Sequence, residues 1–329
     1  MQYNFCTYFD SHFIHKGLVL YESLTNVCDD FCLFIMALDD DSYNLLQSLN
    51  LKNIVVENIK IIESPELLHA KATRTRAEYC WTCGPSVIYY FLTKYELNDI
   101  SYLDSDLMFF SSPEAIYDEI GKGSVAITEH FTPTAPLEGK YCVQYLFFRN
   151  DTDGIKVLKW WRDKCIEWCY CRFDGDRYAD QKYLERFASL TNKLIVLKNR
   201  GAGVAIWNAN LYRYQDDNII YNNETYPIVF FHFHGLKFDC SENHLDVYSS
   251  GGIIVKKSMY LYIKHTKLMV TVYNKYLNKT IDSYTIHELS FWKKIFIKIR
   301  SFFSKSHFLK LLYYKTAKRR FNGFENKKI

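Results

Sequence analysis

Apolar residues along the first two-thirds of the chain fall alternately into short continuous runs and into runs with helical spacing. Residues 3–9 read as a strand that stops at the polar Asp10-Ser11-His12, and Leu18, Tyr21 and Leu24 then recur with a helical period. Residues 31–38 form a second buried strand. It leads into Asp39-Asp40-Asp41-Ser42, which predicts an N-cap for a helix carrying Leu45, Leu46 and Leu49. Short strands are expected at 54–56 and 59–62. Gly84-Pro85-Ser86 predicts the opening of a helix over 84–97, because proline fits a first helical turn. Residues 100–103 form a strand running into Asp104-Ser105-Asp106, and 107–110 continue to a turn at Ser111-Ser112-Pro113-Glu114. A strand at 125–128, a helix over 154–169 with Leu158, Trp161, Cys165 and Trp168 on one stripe, and a late buried strand at 228–233 complete the pattern. Strands that alternate with helices predict an α/β fold with a mostly parallel sheet flanked by helices.

The pattern changes near the C-terminus. Trp292, Ile295, Phe296, Ile299, Phe302 and Phe303 share one helical face, with Lys293, Lys294, Lys298 and Lys305 off it. Residues 290–329 hold twelve Lys and Arg against one acid, Glu325, a net +11. The rest of the chain, with 29 bases and 36 acids, carries −7, so the overall +4 conceals a mildly acidic body with a basic tail. An aromatic stripe beside basic side chains is the pattern of a helix lying in an anionic membrane surface. No fold signature accompanies the charge to suggest nucleic acid. The expected division is 1–250 as a catalytic domain, 251–289 as a helical extension and 290–329 as the tail.

The 329 residues suffice for one large domain with an appendage, and the N-terminus reads directly as a strand rather than a leader. The body is therefore expected in the cytoplasm, attached peripherally to the inner face of the membrane. The ten cysteines read as free thiols, and Cys80-x-x-Cys83 lacks a second pair at zinc-finger spacing.

Asp104-Ser105-Asp106 carries the sharpest chemistry. Two carboxylates separated by one small residue, just past a buried strand, lie where open α/β sheets bind ligands. Hard divalent cations take carboxylate oxygens and leave positions for phosphate. By itself an Asp-x-Asp is also an ordinary solvated acidic turn.

Tyr102-Leu103-Asp104-Ser105-Asp106-Leu107 resembles the Asp-x-Asp segment of GT-A glycosyltransferases, closest to the retaining family of glycogenin and bacterial lipo-oligosaccharide galactosyltransferases. Three more segments match in order. Residues 5–13 are similar to the nucleotide-binding first strand and loop, with Asp10 in the place of the base-holding Asp. Ala179-Asp180-Gln181 resembles the Asp-Gln element beside the transferred sugar. Phe231-His232-Phe233-His234-Gly235-Leu236-Lys237 is similar to the element that supplies a metal-binding His and a diphosphate-binding Lys, and spacing to Gly235 favours His232 over His234. The stretch 160–183 also resembles sugar transferases of bacterial surface-polysaccharide clusters.

The resemblance implies a Rossmann-like GT-A domain with Mn2+ or Mg2+ on Asp104, Asp106 and His232. It implies that Thr7, Tyr8, Asp10, Asp104, Ser105 and Lys237 bind a nucleotide sugar, with UDP the expected nucleotide, and that Asp180 and Gln181 face the reacting sugar. The activity implied is that of a retaining hexosyltransferase acting on a hydroxyl of a glycan or glycolipid. Three departures accompany the match. Lys237 stands two residues early and lacks the following Pro-Trp. No Arg lies within 84–97, which leaves Arg74 or Arg76. Tyr141-Cys142-Val143-Gln144 replaces Asn-x-Gly.

Other classes fit less well. A phosphatase of the haloacid dehalogenase type wants Thr or Val where Met108 stands, and a nucleotidyltransferase wants a Gly-rich, Arg-containing first loop. A catalytically silent nucleotide-sugar binder on the membrane stays open at this point. His12 and His130 read as surface or packing residues. Asn208, beside Gly201 and Gly203, reads as part of a tight turn ahead of a phosphate contact.

Overall fold

The computed structural model describes residues 2–250 and 252–287. The amphipathic tail expected over 290–329 lies outside the described residues.

The chain opens on β1 (Tyr3–Phe9), then α1 (Ile14–Val27), β2 (Phe31–Ala37), α2 (Asp40–Leu49) and β3 (Ile54–Asn58). β1 pairs with β2 and β2 with β3, both in parallel, because each intervening helix returns the chain across the sheet. The acidic turn caps α2 as its sequence predicts: Asp39 accepts from the Ser42 amide at 2.8 Å. The run at 59–62 is not a strand. It is a 3-10 turn, Ile59–Ile61, closed by the Asn58 side chain, which accepts from the Lys60 amide. Apolar-Lys-apolar fits strand or turn equally, and the asparagine cap decides.

Two helices follow, α3 (Pro65–Thr73) and α4 (Arg76–Lys94). α4 corrects the helix expected over 84–97. It starts at a capping box formed by Thr75 and Glu78, and Pro85 lies inside it. Gly84 is there for contact: a Cβ would come 2.9 Å from the Tyr8 hydroxyl, so α4 lies close against β1.

Next come β4 (Asp99–Leu103), β5 (Leu107–Phe109), α5 (Glu114–Ile120), β6 (Val125–Glu129), β7 (Tyr141–Arg149), α6 (Thr152–Glu167) and β8 (Leu194–Leu197). The central seven-stranded sheet has the order β3-β2-β1-β4-β7-β6-β8. β7 runs antiparallel to β4 and β6, and the other pairs are parallel. The fold is thus α/β with a mixed, mostly parallel sheet. One face packs on α4 and α6 through Val87, Phe91, Leu158 and Trp161, and the other on α1 through Leu18, Leu20 and Leu24.

The remaining strands are β9 (Val204–Ala205), β10 (Arg213–Gln215), β11 (Asn218–Tyr221), β12 (Glu224–Pro227), β13 (Phe230–His232), β14 (Leu236–Ser241) and β15 (His244–Ser249). β10, β11 and β12 form an antiparallel meander. β13 pairs with β5 antiparallel and with β9 in parallel, a small sheet that matters for the site. Residues 252–287 carry α7 (Met259–Tyr276) and β16 (Ser283–His287). α7 joins the α1 side of the core through Leu261, Met269 and Val272, and β16 pairs in parallel with β15. All ten cysteines are free. Among the described residues no helix is long and apolar enough to cross a membrane.

Candidate active site

Because β1, β2 and β4 are parallel, their carboxyl ends open on the same side. The loops there carry Asp10, Asp39 and Asp104-Ser105-Asp106. The Asp104 amide donates to the Gln144 carbonyl at 3.0 Å, and the Leu107 amide donates back to the Asp104 carbonyl at 3.2 Å. These bonds fix a tight turn with both carboxylates half-buried. His232 reaches it through strand pairing: in the β13–β5 ladder His232 lies opposite Leu107, and the Phe233 amide donates to the Asp106 carbonyl at 3.0 Å.

The buried imidazole of His232 places Nε2 2.9 Å from Oδ1 of Asp106 and 3.7 Å from Oδ2 of Asp104. Its Nδ1 lies 2.9 Å from Oε1 of Gln144. Burial opposes a proton there, but the Asp106 charge and hydrogen bond outweigh it, and His232 is raised to about 10. Burial likewise pushes Asp106 up, yet His232 and then Lys16 pull it well below the usual carboxylate range. Burial raises Asp104, whose Oδ1 accepts from the Tyr102 hydroxyl at 2.7 Å; Tyr102 stacks on Tyr8 with ring centroids 5.4 Å apart.

Asp106, His232 and His234 place their ligand atoms within 4.8 Å of one another, a group able to hold a metal ion. Of the three expected ligands, Asp106 and His232 are thus in contact and Asp104 stands 3.7 Å from the ring. His234, ranked second by spacing, joins the group. Nε2 of His232 faces the carboxylates of both Asp106 and Asp104, whose negative charge favours a cation there. Carboxylate oxygens with imidazole nitrogens suit Mn2+ and similar ions, so the residues fit the metal that the sequence implies.

Asp180 is buried beside this group. Ala179 before it holds a left-handed φ of 46°, uncommon for a residue with a Cβ, and Trp161 Nε1 donates to the Asp180 carbonyl at 3.0 Å. Burial first, and the negative charge of Asp104 second, push the Asp180 carboxyl up to about 8. Gln181 begins a 3-10 segment, Gln181–Ser189.

At the other end, Thr7 is buried, with a hydroxyl that has no partner among the described residues. Asp10 is buried, accepts from the His12 amide at 3.0 Å and pairs with Arg76 at 2.5 Å. Arg76 also stands 3.7 Å from Asp39. Of the two arginines left by the sequence, Arg76, in the first turn of α4, is thus the one that faces Asp10 and Asp39. Arg74 instead donates to the Cys165 and Ile166 carbonyls at the end of α6. Lys237 is exposed on β14.

Sequence reasoning did not assign Lys16 or Asp39 to the site, and it met Gln144 only as part of the stretch that stands in place of Asn-x-Gly. Gln144 was visible as an amide within an apolar strand, and Lys16 as a charge within the buried stripe of α1. Lys16 is buried with Nζ 3.9 Å from Oδ2 of Asp106. His130 is buried against Trp207, and its carbonyl accepts from Trp207 and Asn208. Asn208 is fully buried and also bonds the Ala205 amide and Gly203 carbonyl, so it clamps the turn. His12 is exposed.

No family model matches the chain. Two uncharacterised proteins of Bacillus subtilis strain 168 are similar to it. YfnD is 32% identical over 242 residues, covering 71% of this chain and 78% of that protein. YfnF is 27% identical over 247 residues, covering 71% and 81%. Among solved structures, the galactosyltransferase LgtC in complex with donor and acceptor sugar analogues superposes with a TM-score of 0.52 at 12% identity, covering 82% of this chain and 95% of that one. The glycosyltransferase GlyE of Streptococcus pneumoniae gives 0.51 at 11% identity, covering 85% and 65%. The chain therefore has the GT-A-like fold of nucleotide-sugar glycosyltransferases and belongs to the family of Bacillus subtilis YfnD.

Proposed function

We propose that the protein is a metal-dependent glycosyltransferase. It moves a hexosyl group from a nucleoside diphosphate sugar, most consistent with a UDP-sugar, to a hydroxyl of a glycan or glycolipid in surface polysaccharide synthesis, with retention of configuration. The observation that carries this reading is the contact of His232 with Asp106 beside Asp104, at the carboxyl ends of a GT-A sheet. A divalent cation there supplies positive charge against the departing diphosphate. Gln144 fixes the imidazole so that Nε2 faces the carboxylates. Asp10 holds the nucleoside, with Thr7 and Tyr8 beside it on β1, while Ser105 flanks the phosphates. Asp180 and Gln181 face the donor sugar; burial first, and the Asp104 charge second, favour the protonated form of the Asp180 carboxyl. The basic tail holds the enzyme on the inner face of the membrane.

The test is a panel of UDP-, GDP- and CDP-sugars, scored by thermal shift with and without Mn2+ and then by donor hydrolysis and transfer. A Mn2+-dependent shift with turnover supports the enzyme. A shift without turnover points to a silent nucleotide-sugar binder, and no shift with any donor overturns the reading.

A further inference from the structure

Lys16 carries an ammonium group that the fold has buried without a hydrogen-bond acceptor among the described residues. Its side chain is 9% exposed. Nζ stands 3.9 Å from Oδ2 of Asp106, too far for a hydrogen bond, and 4.5 Å from the centroid of the Phe13 ring. Asp106 already gives its other oxygen to His232 at 2.9 Å. A buried ammonium has three donors to satisfy, and one distant carboxylate satisfies none of them.

The position of Lys16 is a second, independent observation. It lies in the first turn of α1, a helix of 14 residues with no side-chain N-cap and no acidic residue in that turn. The positive end of the helix dipole and the Lys16 charge therefore coincide. Both stand at the carboxyl end of β1, beside the Asp106–His232 group. A lysine placed only to balance Asp106 would approach it to hydrogen-bonding distance. Lys237, the residue that the family motif suggests for phosphate, is exposed on β14.

We propose that Lys16, rather than Lys237, binds the diphosphate of the nucleotide donor and of the nucleoside diphosphate left after transfer. This rests on the glycosyltransferase reading above. Diphosphate oxygens would satisfy the ammonium donors and offset its buried charge. The α1 dipole adds to the same attraction.

The test is calorimetric titration of the full chain with UDP, with inorganic pyrophosphate and with uridine, all with Mn2+ present. The wild type is compared with Lys16→Met, Lys16→Arg and Lys237→Ala, each checked for folding by circular dichroism. Loss of a charge-assisted hydrogen bond should weaken UDP and pyrophosphate binding about 10–100-fold in Lys16→Met. Lys16→Arg should recover part of it, uridine binding should be unaffected, and Lys237→Ala should resemble wild type. If Lys16→Met does not fold, Lys16→Gln, which keeps a donor but not the charge, takes its place. Wild-type affinity for pyrophosphate in a folded Lys16 variant lacking the charge, or a larger loss in Lys237→Ala, overturns the assignment and leaves the enzyme reading intact. A wild type that binds no nucleoside diphosphate at all overturns the enzyme reading, and this assignment with it.

Discussion

Nε2 of His232 lies 2.9 Å from Oδ1 of Asp106, and that contact joins a late strand to the turn that ends an early one. Asp106→Asn should therefore abolish metal-dependent transfer, with a fall in kcat of roughly a hundredfold or more. The carboxylate is half-buried and opens no cavity when replaced by an isosteric amide, so thermal unfolding should remain cooperative. Asp104→Asn should behave similarly. Near-normal turnover of either variant at saturating Mn2+ would show that the site is misassigned.

His232 and His234 both belong to the metal-capable group, but only His232 is buried and held by Gln144. His232→Ala is expected to weaken Mn2+-dependent donor binding far more than His234→Ala. Calorimetry on the two variants ranks them, and the reverse order would make His234 the principal ligand.

Gln144 acts through His232. Gln144→Leu removes the oxygen facing Nδ1 and should lower Mn2+ affinity about 10–100-fold, whereas Gln144→Glu should hold or raise it by supplying a carboxylate at the same place. Equal losses in both variants would mean that Gln144 serves packing alone.

Asp180 makes stability depend on pH. Its folded pKa, about 8, lies above the ordinary 3.8, so the folded state holds the proton more tightly than the unfolded one. Its contribution is fully present below about pH 4 and is lost as pH rises through about 8, a change of several kcal/mol at most. Asp180→Asn removes this slope. Denaturant unfolding near pH 5 and near pH 8 should show the variant gaining on the wild type at the higher pH. An unchanged difference would place the Asp180 titration elsewhere.

The basic tail should give the full chain a salt-sensitive affinity for anionic vesicles. Each Lys or Arg near such a surface contributes about 1 kcal/mol. Screening shortens from roughly 10 Å at about 0.1 M salt to roughly 3 Å at about 1 M, so binding should fall between those conditions. Sedimentation with phosphatidylglycerol vesicles and with neutral ones measures it, and equal binding to both would contradict the expectation.

Much of this architecture was legible in the chain. The acidic turn at Asp39 and the strand before Asp104 have local causes, a side-chain cap and an apolar run, and both stand as read. Residues whose meaning comes from distant partners were not legible. Gly84-Pro85 resembles a helix start, but the glycine answers to Tyr8 across the layer and the true start is the Thr75–Glu78 box. That displacement hid Arg76 at the head of α4, opposite Asp10. Lys16 was visible as a polar interruption of a buried run and Gln144 as the end of the stretch in place of Asn-x-Gly, and nothing nearby in sequence says that one faces Asp106 and the other His232.

The β13–β5 ladder has a consequence for the order in which the molecule becomes competent. The acidic turn leaves the ribosome well before the strand that brings its histidine, and the two meet only after the intervening β6–β12 region has been laid down. Contacts so distant in sequence form late, because a long loop must close before they are rewarded. On the proposed reading, metal capture therefore requires the chain at least as far as His232. A nascent or cleaved form ending before Phe230 holds the two aspartates but not His232 or His234, and so lacks both imidazoles of the Asp106–His232–His234 group.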